Sequence, residues 1–153
     1  MTDTANALEF AHNMLRHHGL AHVPVEVSRR ARSRLGAAKF KRGKPHMLQL
    51  SAWVVERAPW EVVREAILHE VAHLIAGHAA GHGPAWKRAA LIVGCEPKRC
   101  ADAEVLEYAP KPKWKGECCG LVWKRHRLTS QTRRGLCSKC RTPIVWQEVG
   151  TAA

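Results

Sequence analysis

Pro59-Trp60-Glu61-Val62-Val63-Arg64-Glu65-Ala66-Ile67-Leu68-His69-Glu70-Val71-Ala72-His73-Leu74-Ile75-Ala76-Gly77 is the stretch on which the reading of this chain turns. Pro59 suits a first helical position, Glu61 places a carboxylate in the first turn, and Gly77 is a natural stop. Between them Val62, Val63, Ala66, Ile67, Val71 and Leu74 recur at the spacing of a core-facing helical stripe. Within that helix His69-Glu70-Val71-Ala72-His73 forms an HExxH motif. Residues four apart on a helix lie one above the other, so both imidazoles can reach one ion, while Glu70 can address water beside it without binding the ion. Two surface histidines on an amphipathic helix would be the bland alternative, and the motif alone is only moderately specific in a chain with 10 histidines.

A catalytic zinc site takes three protein ligands and leaves a position for water. The extended pattern that would place Gly at 76 and His at 79 is absent, because Ala76 and Ala79 stand there. On a continuing helix His78 would lie about 140 degrees around the axis from His73, facing away. His82 sits in Gly81-His82-Gly83-Pro84, a turn whose glycines let the backbone fold back before Pro84 starts the next helix. His82 is therefore the expected third ligand, with Glu70 as general base.

Working outward, Asp3 to Gly19 reads as a helix with Leu8, Ala11, Met14 and Leu15 on its apolar stripe. Short β-prone pieces at 23–27 and 47–51, separated by Gly36, Gly43 and Pro45, predict a small, mostly antiparallel sheet with basic turns. A helix over Ala85 to Val93 ends at Gly94, and Asp102 to Tyr108 adds a short one. Then Pro110-Lys111-Pro112-Lys113 reads as a linker. The expected organisation is an α+β body over 1–109 and a basic, cysteine-containing segment over 110–149.

The formal charge is +12, from 25 Lys and Arg against 13 Asp and Glu. It is clustered: eight basic residues and no acid lie between Ser28 and Lys44, and ten between Lys111 and Arg141 face only Glu117. Solubilising charge usually mixes signs, so a polyanion is the first candidate partner. Lys113, Trp114, Lys115, Trp123, Lys124, Arg125, Arg127, Arg133 and Arg134 interleave cations with aromatic rings, a composition suited to stacking on unpaired bases. The competing reading packs both tryptophans into a small core. No apolar run approaches the roughly 20 residues of a membrane span, and Met1 to Phe10 lacks a signal-peptide pattern. A cytoplasmic monomer without a membrane partner, nucleoid-associated in a bacterium, is the expectation.

Six cysteines in such a chain point to metal rather than disulfides. Cys137-Ser138-Lys139-Cys140 is one half of a zinc ribbon, and Cys118-Cys119 lies the right distance upstream, with 17 residues between Cys119 and Cys137. Adjacent thiolates on one ion are awkward, which leaves His126 open as a substitute ligand. Cys95 and Cys100 are assigned to packing.

His69-Glu70-Val71-Ala72-His73 followed by Gly81-His82-Gly83-Pro84-Ala85-Trp86 resembles the SprT-like metalloproteases, the group that includes Spartan, over roughly residues 5 to 147. The resemblance implies a zincin-like metalloprotease domain with His82 as third zinc ligand, followed by a zinc-ribbon-like appendage holding a second, structural zinc. Such ribbons normally space the first two cysteines by one or two residues, from which the Cys118-Cys119 pair departs. It also implies hydrolysis of proteins bound or crosslinked to DNA, with single-stranded or partly unpaired DNA as a partner. Two other functions fit the residues: a DNA-binding zinc module whose protease site is inactive, and a peptidase whose basic segment recruits something other than DNA.

Overall fold

Asp3 begins the first helix, α1 (Thr4–His17), by accepting a hydrogen bond from the Ala5 N–H at 3.1 Å. That satisfies a donor the helix itself leaves unpaired. Ala7, Ala11 and Leu15 form its buried stripe. The computed structural model describes residues 3–98 and 103–149, and the chain divides into two compact units, Met1–Ala109 and Pro110–Ala153.

In the first unit, strands β1 (Val25–Ser28), β2 (Gly36–Lys41) and β3 (Lys44–Ser51) form a sheet in the order β1-β3-β2. β2 and β3 make an antiparallel hairpin, whose turn residues Arg42 and Gly43 both have positive φ. This primed-type geometry matches the twist of a hairpin. β1, in contrast, pairs parallel to β3, with Val25 opposite Leu48 and Val27 opposite Leu50. The sheet is thus mixed. β3 contains one of the two pieces that the β-prone pattern marks and β1 overlaps the other, starting two residues later, whereas β2 lies in a stretch that reads as turns.

β3 leads directly into a short helix, α2 (Ala52–Arg57), followed by α3 (Trp60–Ala76). Pro59 serves as the N-cap of α3 rather than its first helical residue. A single 3₁₀ turn (His78–Ala80) joins α3 to α4 (Pro84–Val93), where Pro84 occupies the first turn and Gly94 caps the end. A second 3₁₀ segment covers Ala103–Tyr108; Asp102, part of the expected helix there, lies outside the described residues. The core is shared by Leu48 and Leu50 of β3, Val63, Ile67 and Val71 of α3, Leu15 of α1 and Trp86 of α4. Each such side chain contributes about 1.5–3 kcal/mol through burial. This packing presses one face of α3 onto the sheet and so fixes where its polar residues emerge.

The second unit is a small antiparallel sheet of β4 (Trp114–Cys118), β5 (Leu121–Arg125) and β6 (Trp146–Glu148), in the order β5-β4-β6. A one-turn helix, α5 (Ser130–Arg133), is held by a Thr129–Thr132 capping box. Among the described residues of this unit, Cys137 and Ile144 are the buried hydrophobic side chains. With so few apolar groups this unit lacks the core that usually stabilises a domain of its length. Among the described residues, no helix is long and apolar enough to cross a membrane.

Candidate metal centres

His69 and His73 project from consecutive turns of α3, and the turn after the 3₁₀ segment carries His82 back over them. Gly81 makes that return possible with φ 51 and ψ −132, a combination side-chained residues avoid. The His82 Nε2 lies 3.1 Å from His73 Nε2 and 3.1 Å from His69 Nε2. Three nitrogens bound tetrahedrally to one zinc at about 2.0–2.1 Å would stand about 3.3 Å apart, so the donor set fits such an ion. Trp86, wholly buried, closes the site from α4, with its ring centroid 4.8, 5.4 and 4.6 Å from those of His69, His73 and His82. Burial pushes the His69 and His73 imidazoles down to about 4, with neighbouring imidazoles adding repulsion. Both are therefore neutral at physiological pH, the form in which histidine binds metal. His78 stays outside this group; it is exposed and meets the Phe40 ring edge-on at 5.4 Å.

Glu70 is buried beneath strand β2. Its Oε2 accepts a hydrogen bond from the Ala38 N–H at 2.7 Å. Burial raises the carboxyl to about 7, while the Ala38 N–H and the Arg34 charge pull it back. β2 can come this close because residue 36 is glycine: a β-carbon there would stand 2.9 Å from Glu70 Cγ and 3.0 Å from the Gln49 carbonyl oxygen. Gly36, Ala38 and Trp86 are thus site residues that the HExxH reading does not reach. The available signal was the isolated glycine, which in a strand often marks a close backbone approach.

In the second unit Cys118, Cys119, Cys137 and Cys140 bring their sulfurs within 4.8 Å of one another. Cys118 Sγ is 3.7 Å from Cys119 Sγ and 3.4 Å from Cys140 Sγ. These separations are near the roughly 3.8 Å expected of thiolates around a tetrahedral zinc. The adjacent pair works because the β4–β5 turn puts Cys119 at φ 50, rotating its thiol toward that of Cys118. His126 is not in the cluster. The Cys137 N–H donates to the Thr142 carbonyl at 2.8 Å, and the Thr142 hydroxyl lies 2.8 Å from Cys140 Sγ. That contact pulls the Cys140 thiol down to about 6, toward the ligating thiolate. Cys95 is buried apart from both centres; Cys100 lies outside the described residues.

Strand alternation sorts the basic and aromatic residues of this unit. Trp114 pairs with Arg125 and Glu148, so these share a face with Trp123 and Trp146; Lys115 and Lys124 oppose each other on the other face. Trp114 and Trp123 are half-buried, and Arg133 lies 5.8 Å over the Trp114 ring. Lys115 pairs with Glu117. Lys113, Lys124, Arg125, Arg127, Arg133 and Arg134 are exposed. Rings and lysines therefore occupy opposite faces rather than one mixed surface.

Residues 4–105 match the sequence model of the SprT-like family. Proteins named Protein SprT are similar in the same sense: that of Pseudomonas putida is 32% identical over 100 residues, covering 56% of this chain and 59% of its own length. That of Pseudomonas entomophila is 31% identical over 97 residues with the same coverage. The chain thus spans less than two thirds of the length of these relatives. No solved structure matches the fold.

Proposed function

The chain belongs to the SprT-like family, and from that premise we propose that it is a zinc-dependent metalloendopeptidase acting on proteins bound or crosslinked to DNA. The observation that carries the peptidase half is the convergence of three imidazoles, with His82 Nε2 3.1 Å from both His69 Nε2 and His73 Nε2, beside a glutamate that does not join them. A binding site with a purely structural ion has no use for that carboxylate.

His69, His73 and His82 would hold the ion. Zinc in such a site lowers the pKa of water to about 7 and polarises a carbonyl. Glu70 takes the proton released when water attacks the scissile carbonyl, then delivers it to the departing amine. The Ala38 N–H holds one carboxylate oxygen in place, which leaves the other to carry the proton. Trp86 keeps water from beneath the imidazoles and fixes their ring planes. In the second unit Cys118, Cys119, Cys137 and Cys140 would hold a structural zinc, which offsets the small apolar core.

The DNA half rests on charge. A net +12, with exposed Lys113, Lys124, Arg125, Arg127, Arg133 and Arg134 in one small unit, favours phosphate contact. Half-buried Trp114 and Trp123 would offer their accessible ring surface to unpaired bases.

Cleavage of a basic DNA-binding protein by the zinc-loaded chain, with and without single-stranded DNA, tests both halves. DNA-stimulated cleavage that disappears in Glu70→Gln is expected. Cleavage indifferent to DNA removes the DNA half, and tight DNA binding without cleavage removes the peptidase.

A further inference from the structure

The sheet of the first unit has a second face, which the histidine site does not use. Leu48 and Leu50 of β3 turn toward the core, so Gln49 points the other way, together with its pairing partners Glu26 and Ala37. Residues 29–34, which connect β1 to β2, and this outer face together line a cleft of about 770 Å³, chiefly through Arg29, Arg30, Arg32, Arg34, Lys39 and Gln49.

Its floor is anchored. Gln49 is only 5% exposed, accepts from Arg34 Nη2 at 2.9 Å and donates to Glu26 Oε1 at 3.0 Å. The Arg34 and Ser51 backbones are tied as well: the Ser51 hydroxyl donates to the Arg34 carbonyl, and the Ser51 N–H to the Leu35 carbonyl at 2.8 Å. Glu26 is the one carboxylate among the lining residues, against five cations. Arg29 is matched by Glu56 at 2.7 Å. Among the described residues, Arg30, Arg32 and Lys39 have no ion-pair partner. Binding clefts for neutral ligands are mostly apolar; this one is charged, open and predominantly positive, which fits an extended polyanion. Guanidinium groups match phosphate oxygens with paired donors.

We propose that this arginine cleft binds the phosphodiester backbone of a nucleic-acid strand, as a contact on the peptidase unit additional to the cysteine unit. The proposal rests on the DNA half of the function above and adds a second site to it. The cleft is built into the same strand that clamps the catalytic glutamate: Gly36 and Ala38 of β2 contact Glu70, while Arg34 and Lys39 flank them on the cleft side.

Fluorescence anisotropy with a labelled oligo-dT strand and the full zinc-loaded chain, read across a salt series, tests it. Arg30→Ser with Arg32→Ser is expected to reduce the slope of log affinity against log salt by about 1.4, from about 0.7 per lost phosphate contact. Arg30→Lys with Arg32→Lys is expected to keep the slope. The same loss is expected in a Lys124→Ala, Arg125→Ala background. An unchanged slope in the serine variant, with wild-type binding intact, overturns the cleft and leaves DNA association standing. Absence of DNA binding by the wild type overturns both. Broadening of the phosphorus NMR line of inorganic phosphate by the wild type but not by the serine pair, with the DNA slope unaffected by that pair, assigns the cleft to small anions and also overturns it. Failure of cleavage would bear on Glu70 and not on this binding readout.

Discussion

Gly36 and Glu70 approach more closely than any side chain at position 36 would permit: a β-carbon there would lie 2.9 Å from Glu70 Cγ. The contact connects the edge strand to the proposed general base, because the same strand supplies the Ala38 N–H that holds Glu70 Oε2. Gly36→Ala must move β2, Glu70 or both, and the Gln49 carbonyl 3.0 Å away leaves little room on the other side. Overpacking of this kind costs about 1–3 kcal/mol. The variant is expected to melt lower, to retain zinc, and to lose at least about tenfold in kcat, which corresponds to about 1.4 kcal/mol of misplaced base. Zinc content, melting temperature and kcat measured together check it; a fall in stability with full kcat would show that the contact only packs.

Glu70 is also expected to influence stability. Its carboxyl is raised to about 7 from an ordinary 4.5, first by burial. In the zinc-free protein the unfolded chain therefore gives up this proton before the folded one does. Folding stability falls as pH rises from 4.5 to about 7, by at most about 3 kcal/mol. A glutamine at 70 does not ionise and can still accept from Ala38. The melting-temperature advantage of metal-free Glu70→Gln over metal-free wild type should grow between pH 5 and pH 8. A gap that stays constant with pH would contradict the burial account.

The helix that carries the histidines could be read from sequence because two independent signals coincide in it, an apolar stripe and the punctuation at Pro59 and Gly77. α4 was legible for the same reason, through Pro84 and Gly94. β2 was not: Gly36-Ala37-Ala38 has no β-branched residue, and the strand exists because the Arg42–Gly43 turn folds it onto β3. Nor does local sequence indicate that β1 joins the sheet parallel to β3, since strand direction is a property of the long connection through residues 29–35. His82 was legible from its glycine-flanked turn. The surroundings of Glu70 were not, because Ala38 acts through its backbone N–H and Gly36 through the absence of a side chain.

The cysteine centre invites a choice among Cys118, Cys119 and His126 that sequence leaves open. With Cys119 at φ 50 and four sulfurs within 4.8 Å, the geometry favours an all-cysteine site. His126→Ala is expected to keep two zinc ions per chain, and Cys119→Ser to lower the count to one. Zinc stoichiometry after dialysis, with cobalt substitution to count thiolate charge-transfer bands, distinguishes the two. A histidine variant that loses one ion while the serine variant keeps both would reverse the assignment.

Cys95 offers a control on both metal centres, because it is a thiol that belongs to neither. It is 5% exposed, donates to the Glu96 carbonyl at 3.4 Å, and is pushed up to about 12 by burial, with Glu65 adding to the effect. At pH 8 only about one molecule in ten thousand would carry the reactive thiolate there, against roughly a quarter for an ordinary cysteine. Iodoacetamide labelling of the folded, zinc-loaded protein at pH 8, mapped by peptide mass, should leave Cys95 unmodified for hours. After chelation the cysteines of the second unit, Cys140 above all with its thiol pulled down to about 6, should label quickly, and Cys95 should still resist until denaturant is added. Labelling of Cys95 along with the others on chelation alone would mean that the packing around α4 and Glu65 opens when metal leaves, and that the core of the first unit depends on its ion.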